Sequence, residues 1–164
     1  MIKRMLVLLF VVVFLNSCKK DTGCSATESS FVAPASETAA LQAYCAINAP
    51  AAVAHSSGLY YEITNPGAGS SATICSNVTV NYEGFLTNGG ARFDYSTSPV
   101  SFQLAQLILG WQKGIPLIKK GGSITLYVPP SLAYGNTDVR NNAGIIIIPA
   151  NSYLKFTIQL VDVQ

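Results

Sequence analysis

The chain has 164 residues, of which 49% are hydrophobic and 11% are charged, which suits one domain with a buried core and excludes an ordinary disordered protein. Lys3 and Arg4 account for the formal net charge of +2, because the remaining eight basic and eight acidic residues balance. No basic cluster is present, so neither nucleic acid nor an anionic membrane surface is an expected partner of the folded region.

The N-terminus has the pattern of a secretory signal, with two basic residues before an unbroken apolar run over residues 5–15. This run is too short to span a bilayer as a stable helix. It ends in Leu-Asn-Ser-Cys at residues 15–18, which resembles the bacterial lipobox, whose cysteine is lipidated and becomes the first residue. The resemblance implies a signal peptide over residues 1–17, a membrane anchor on Cys18, and a location in the bacterial cell envelope, facing the periplasm or the cell exterior. The alternative is an ordinary signal peptide with a chance cysteine.

Export implies an oxidising compartment, in which cysteines form disulfides. If Cys18 is lipidated, three cysteines remain. Cys24 and Cys75 both lie in Gly/Ser/Thr-rich sequence typical of loops, so we predict a disulfide between them that pins the N-terminal segment to the domain. A disulfide that uses Cys45 is the alternative.

A helix is predicted over residues 36–48, with Ser36 as its N-cap and Glu37 at the positive end of the helix dipole. Three residues then share one apolar face at helical spacing, namely Leu41, Tyr44 and Cys45. The helix therefore makes Cys45 a small buried hydrophobic residue. The sequence divides into a signal peptide (1–17), a lipidated tether (18–35), this helix with its connection (36–57) and a main domain (58–164).

From residue 58 onward, short alternating apolar runs are separated by turn residues, a pattern typical of β-strands. Predicted strands cover residues 59–64, 77–86, 92–95, 100–104, 123–128 and 153–163. Between them, residues 105–118 have a partly helical pattern, which Gly110, Gly114 and Pro116 limit to a short helix. The pattern predicts an α+β domain, an antiparallel sheet packed on one short helix.

Common catalytic signatures are missing from the sequence. The single histidine, His55, has no nucleophile and acid around it and is expected to be a solvated loop residue. No phosphate-binding loop and no metal-ligand spacing occur, so neither a metal nor a cofactor is expected. Aromatic residues are concentrated instead, and Asp94 is enclosed between Phe93 and Tyr95.

Six short motifs follow one another over residues 58–163. They are Val78-Thr-Val-Asn-Tyr82-Glu-Gly84, Phe93-Asp94, Gly110-Trp111 with Gly114, Leu132-Ala-Tyr134-Gly135, Ile147-Ile148-Pro149 and Leu154-Lys-Phe156. In this order and spacing they resemble the FKBP-type peptidyl-prolyl isomerases. The resemblance implies a twisted antiparallel sheet of five to six strands wrapped around one short α-helix, to which the N-terminal helix is an addition. It also implies isomerisation of X-Pro bonds, in proteins that are exported or belong to the envelope.

The resemblance assigns roles to residues as well. Catalytic roles fall on Tyr82, Phe93, Asp94, Trp111, Tyr134 and Phe156, with Trp111 as the floor of an aromatic cleft. Substrate-binding roles fall on Val100, Leu107, Ile108, Ile147 and Ile148. The backbone N–H of Ile108 would bind a substrate carbonyl, and Asp94 would act through its fixed charge. The resemblance implies a non-covalent mechanism, by desolvation and twisting of the amide, with proline-containing polypeptides as substrates.

The sequence departs from the family pattern at the rim of the expected cleft. Val100 and Leu132 stand where aromatic residues are frequent, and residues 136–144 form a different, Asn-rich closing loop. These departures leave open an alternative function as a non-catalytic chaperone or docking module of an envelope complex. A purely structural lipoprotein, with a filled core in place of the cleft, is a third hypothesis. Nothing in the sequence demands an oligomer, so a monomer is expected.

Overall fold

The computed structural model describes residues 23–164. The predicted signal peptide, Cys18 and the start of the predicted tether lie outside the described residues. The helices are α1 (Ala35–Asn48) and α2 (Leu109–Gly114), and 3-10 turns cover Leu104–Gln106, Ile115–Leu117 and Pro130–Leu132. The strands are β1 (Val53–Ala54), β2 (Tyr60–Asn65), β3 (Asn77–Leu86), β4 (Arg92–Tyr95), β5 (Val100–Gln103), β6 (Ser123–Val128), β7 (Val139–Arg140), β8 (Ile146–Ile148) and β9 (Leu154–Val163).

Within this part of the chain, the main sheet is antiparallel and has seven strands, in the order β1-β2-β6-β9-β3-β4. β5 pairs with the same edge of β3 as β4 does, so that the seven strands occupy six positions. β7 and β8 form a separate two-stranded ribbon. The α+β prediction is confirmed. The sequence did not predict β1 and β7, because two residues are too few to show an alternation. They are strands because they pair with β2 and β8.

The inner face of the sheet packs closely on α2. A Cβ atom built on Gly110 would lie 2.5 Å from Cγ1 of Val128, and one built on Gly114 would lie 2.5 Å from Cδ1 of Leu126. Val128 and Leu126 both belong to the main hydrophobic core. The two glycines therefore let the helix backbone approach β6, besides keeping the helix short as the sequence predicts.

Helix α1 covers part of the opposite face of the sheet. Its buried Leu41 and Cys45 pack with Tyr127, a residue of β6 whose neighbours in sequence face the main core. The predicted helix is confirmed, but Ser36 is not its N-cap. The helix begins one residue earlier, and the capping position belongs to Pro34, whose carbonyl accepts the first intrahelical hydrogen bond. A proline has its φ angle preset, so it can start the helix without a side-chain cap.

A disulfide joins Cys24 to Cys75, with an S–S distance of 2.00 Å, and the predicted pairing is confirmed. Cys45 is free and only 2% exposed, and its burial raises the pKa of the thiol to about 11. Beyond the disulfide, the N-terminal segment stays against the domain. Nζ of Lys113 donates to the carbonyl of Ser29 at 2.5 Å. The boundary of the tether at residue 35 stays a prediction.

The surroundings of His55 differ from the expected solvated loop. The ring is half-buried, and its Nδ1 accepts the backbone N–H of Ser57 at 3.1 Å and contacts the Ser57 hydroxyl at 2.9 Å. The chain turns back at this point, since the N–H of Gly58 donates to the His55 carbonyl. Within residues 23–164, no three metal-ligating side chains come together. No helix in that range has the length and apolar character needed to cross a membrane.

Candidate active site

A cavity of about 190 Å³ opens beside α2. Strands β3, β4, β5 and β9, helix α2 with the turn before it, and the chain after the third 3-10 turn all contribute to it. The nine lining residues are Tyr82, Phe93, Asp94, Phe102, Leu107, Ile108, Trp111, Tyr134 and Phe156. Six of them are aromatic and two are aliphatic, so a bound group exchanges water for a mainly apolar surface.

Trp111 lies at the centre of the aromatic lining. Its ring centroid is 5.3 Å from that of Tyr82, 5.4 Å from that of Phe156 and 6.3 Å from that of Phe102. The three interplanar angles lie between 81° and 90°, the edge-to-face arrangement that aromatic rings favour. The indole is only 4% exposed, and its Nε1 has no acceptor among the described residues. The packed rings of Trp111 and its three aromatic neighbours therefore form one continuous surface of the cavity.

Asp94 is the charged residue among the nine that line the cavity, and both of its carboxylate oxygens are held. The Tyr82 hydroxyl donates to Oδ2 at 2.8 Å, and the Tyr95 backbone N–H donates to Oδ1 at 2.8 Å. Burial raises the pKa of Tyr82 well above 10, and the hydrogen bond to Asp94 raises it further. The pKa of Tyr134 is also raised, by burial and then by the charge of Asp94. Both phenols therefore stay protonated and remain donors.

Ile108, the residue before α2, lines the cavity and has an unused backbone donor. Ile108 occupies the N-cap position, and its carbonyl accepts the N–H groups of Trp111 and Gln112. Its own N–H donates to no acceptor within residues 23–164. The Gln112 side chain donates to the carbonyls of Leu107 at 2.7 Å and Ala105 at 3.2 Å, and so fixes the turn that carries this donor. The site thus combines apolar walls with a few placed hydrogen-bonding groups.

The profile described as "FKBP-type peptidyl-prolyl cis-trans isomerase" matches residues 69–161, which include every lining residue of the cavity. The chain belongs to this family.

The chain is similar to curated proteins that carry the same family name and to solved structures. The chain is 46% identical over 111 residues to the FKBP-type peptidyl-prolyl cis-trans isomerase FkpA of Buchnera aphidicola subsp. Acyrthosiphon pisum, covering 66% of this chain and 43% of that protein. The crystal structure of FkpA from Escherichia coli superposes with a TM-score of 0.66 at 37% identity, over 79% of this chain and 58% of that one. A peptidyl-prolyl cis-trans isomerase from Pseudomonas syringae pv. tomato gives 0.67 at 27% identity, over 80% and 97%. The chain spans about two fifths of the length of the curated relatives it matches.

The structure brings together all six residues to which the FKBP resemblance assigns catalysis. Two of the residues assigned to substrate binding, Leu107 and Ile108, line the cavity with them. The functional roles of all eight stay predictions.

Three other residues assigned to substrate binding lie outside the cavity lining of this FKBP domain. Val100 is 37% exposed on β5, opposite Val80. Ile147 packs partly against the core, and Ile148 belongs to the core with 2% exposure. The β7–β8 ribbon turns the Ile148 side chain inward, so in this conformation it has no surface for a peptide. A substrate contact of these three residues stays a prediction.

Sequence reasoning missed two members of the site, Phe102 and Gln112. Phe102 lines the cavity and lies opposite Val78 on the face of β3 that enters the core. The alternation of Val100 and Phe102 in β5 is the signal that would have found it, because both side chains share one face. Gln112 left no such signal, since its two hydrogen bonds depend on how the preceding turn folds back.

Proposed function

We propose that this protein is a peptidyl-prolyl cis-trans isomerase that binds the prolyl ring of an X-Pro bond in the aromatic cavity. The observation that carries the proposal is the apolar cavity around Trp111, with Asp94 as the one charge in its lining. Membership of the FKBP family supports it. The activity requires neither a cofactor nor a covalent intermediate, so the scarcity of acid–base pairs in the sequence is consistent with it.

The chemistry follows from the barrier to rotation. An amide must lose its resonance to twist, which costs roughly 18–20 kcal/mol in water. Water stabilises the planar, dipolar amide more than the twisted, less polar one. A cavity with aromatic and aliphatic walls removes that water as the prolyl ring enters, and so favours the twisted form relative to the planar one. Each ~1.4 kcal/mol by which the cavity favours the twisted over the planar amide raises the rate about tenfold.

Placed polar groups then orient the peptide. The free N–H of Ile108 is a donor for a substrate carbonyl, and the protonated hydroxyl of Tyr134 is a second one at the rim. Asp94 is fixed by its hydrogen bond from Tyr82, so its charge keeps one position while the amide twists. This fixed field acts on the dipole of the amide, which changes during rotation. Asp94 is not a proton donor or acceptor in this mechanism.

A protease-coupled assay with a series of Xaa-Pro peptides tests the activity directly. Phe93→Ala removes a wall of the cavity and is expected to lower kcat/KM at least about tenfold. Phe85→Ala is the matched control, because Phe85 is also a half-buried phenylalanine on the sheet but does not line the cavity. A wild-type rate no higher than the uncatalysed one, in folded protein that still binds proline peptides, would contradict the proposal and favour the non-catalytic binding module.

We also propose that the protein acts in the bacterial cell envelope, anchored by lipid on Cys18, as a monomer that assists exported proteins. The lipobox-like sequence at residues 15–18 supports the anchor, and the disulfide between Cys24 and Cys75 suits an oxidising compartment. Labelled palmitate is expected to enter the wild-type protein and not the Cys18→Ser variant. Equal labelling of both, or of neither, would contradict lipidation at this residue.

A further inference from the structure

A carboxylate of helix α1 forms a hydrogen bond with the chain segment that leads to Tyr134. Glu37 lies in the first turn of α1, and its Oε2 accepts the backbone N–H of Ser131 at 3.0 Å. Ser131 belongs to the 3-10 turn Pro130–Leu132, which ends two residues before Tyr134. The contact therefore links a helix outside the matched range of the family profile, residues 69–161, to the rim of the cavity.

The hydrogen bonds of this turn give Glu37 a distinct role. Pro129 and Pro130 have no N–H, so Ser131 supplies the first donor of the turn. Three of the donors that follow bond within the turn. They are Leu132 to the Pro129 carbonyl at 3.1 Å, and Ala133 and Gly135 to the Pro130 carbonyl at 2.9 and 2.8 Å. The carboxylate of Glu37 is thus the acceptor that ties the start of the turn to another element, and a charged acceptor strengthens such a bond.

The side chain of Ser131 provides no substitute for this bond. Its hydroxyl oxygen is buried and has no hydrogen-bond partner among the described residues. If Glu37 were removed, the backbone N–H would be left as a second unpaired polar group at the same place. Because a half-buried donor without a protein acceptor is costly, we expect the turn to shift to recover a partner.

We infer that Glu37 is a positioning residue, which holds the 130–132 turn so that the hydroxyl of Tyr134 faces the cavity opposite Asp94. The inference rests on the proposed isomerase function, since Tyr134 is one of the donors assigned to the substrate. It makes the N-terminal helix part of the catalytic apparatus, although no residue of that helix lines the cavity. The competing arrangement is that the fully buried Leu132 anchors the turn by itself.

Kinetics of five variants, Tyr134→Phe alone among them, separate these arrangements. Glu37→Ala is expected to lower kcat/KM roughly fivefold, because the acceptor is lost. Glu37→Gln is expected to recover most of that loss, because its amide oxygen still accepts the Ser131 N–H. In a Tyr134→Phe background, Glu37→Ala is expected to have no further effect, since the hydroxyl it positions is absent. Glu28→Ala is the matched control, because Glu28 is an exposed glutamate in the segment before α1.

Equal kcat/KM for wild type and Glu37→Ala would overturn the inference and leave the isomerase proposal intact. An additive loss in the Tyr134→Phe background would also overturn it, since the effect would then not pass through that hydroxyl. NMR provides a readout that does not need activity. Glu37→Ala is expected to speed amide exchange at Ser131 and to shift the ring resonances of Tyr134, whereas unchanged Tyr134 resonances would overturn the link. If the wild type is inactive, these resonances still decide between the two arrangements.

Discussion

Gly84 lies directly beneath the ring of Phe93, since a Cβ atom built on Gly84 would be 2.6 Å from Cζ of that ring. The same Cβ would lie 3.0 Å from Cε1 of Phe156. The two rings pack edge to face at 5.7 Å and form one wall of the cavity. The missing side chain of Gly84 is therefore what allows this wall to lie against β3.

Substitution of Gly84 by alanine is expected to displace both rings. We expect kcat/KM for proline peptides to fall at least about tenfold, and the free energy of unfolding to fall by about 1–3 kcal/mol from overpacking. The double variant Gly84→Ala/Phe93→Leu should regain stability, because leucine is smaller than phenylalanine, but not activity. Urea unfolding and the peptide assay measure the two quantities. Full activity in Gly84→Ala would show that the wall is not used by the substrate.

The pH dependence of activity follows from the protonation of the hydroxyls of Tyr82 and Tyr134. Burial and the neighbouring Asp94 raise the pKa of Tyr82 above its ordinary value of 10, and that of Tyr134 is raised as well. A raised pKa means that the hydroxyls keep their protons as the pH increases. We expect kcat/KM to stay level from about pH 7 to about pH 9.5. A fall with a midpoint near pH 9 would contradict this assignment.

Tyr82→Phe removes the hydrogen bond to Asp94 and leaves the ring in place. We expect kcat/KM to fall roughly threefold to tenfold, because the carboxylate loses one of its two fixed donors. Tyr61→Phe is a suitable control, since Tyr61 lies on β2 outside the cavity lining. Equal losses in the two variants would argue against a role of the Tyr82–Asp94 pair.

The disulfide is expected to contribute to stability and not to catalysis. Cys24 and Cys75 are 51 residues apart, and closing a loop of that length stabilises the fold by up to about 4 kcal/mol, mainly through the unfolded chain. The double variant Cys24→Ala/Cys75→Ala should unfold at lower urea concentration and keep its kcat/KM while folded. An unchanged unfolding midpoint would contradict this expectation. The intact Cys45 offers no alternative bond, because it is buried on the other face of the sheet.

Acid is expected to destabilise the fold through His55. Burial lowers the pKa of His55 below 6.5, and the positive charge of Lys113 lowers it further. Below about pH 6.5, the unfolded chain takes up a proton that the folded chain resists, so stability falls as the pH decreases from about 7 to 5. Above that range His55 has no effect, because it is neutral in both states.

His55→Asn is the matched variant for this prediction, since Oδ1 of asparagine can accept the Ser57 N–H in place of Nδ1 but does not titrate. Its free energy of unfolding should change less between pH 7 and pH 5 than that of the wild type. The pKa of Asp162 is lowered below 3.8 by hydrogen bonds from Lys120 and then from Gln164, so its contribution is lost only at more acidic pH. Identical slopes for wild type and variant would rule out His55 as the acid-sensitive group.

Several features followed from the amino-acid sequence by itself, because they depend on local periodicity. The alternation over residues 77–86 predicted strand β3 with its correct bounds, and the spacing of Leu41 and Cys45 predicted the buried face of α1. The motifs around Tyr82, Asp94 and Trp111 pointed to the family. The two periodic patterns are set by neighbours within one turn or one pleat, so they can be read without knowing the fold, whereas the motifs indicated the family only through their resemblance. The lipid anchor on Cys18 is likewise a sequence prediction, and it awaits the labelling experiment.

Which side chains meet depends on the tertiary structure. Ile148 enters the core because the β7–β8 ribbon turns inward, and Gln112 supports the turn before α2 because that turn folds back toward it. The hydrogen bond from Ser131 to Glu37 joins residues 94 positions apart. Such contacts have no period in the sequence, since they arise from the register and packing of distant elements. The residue types therefore indicated the chemistry of the site. The fold determined which residues line the cavity and which hydrogen bonds hold them in place.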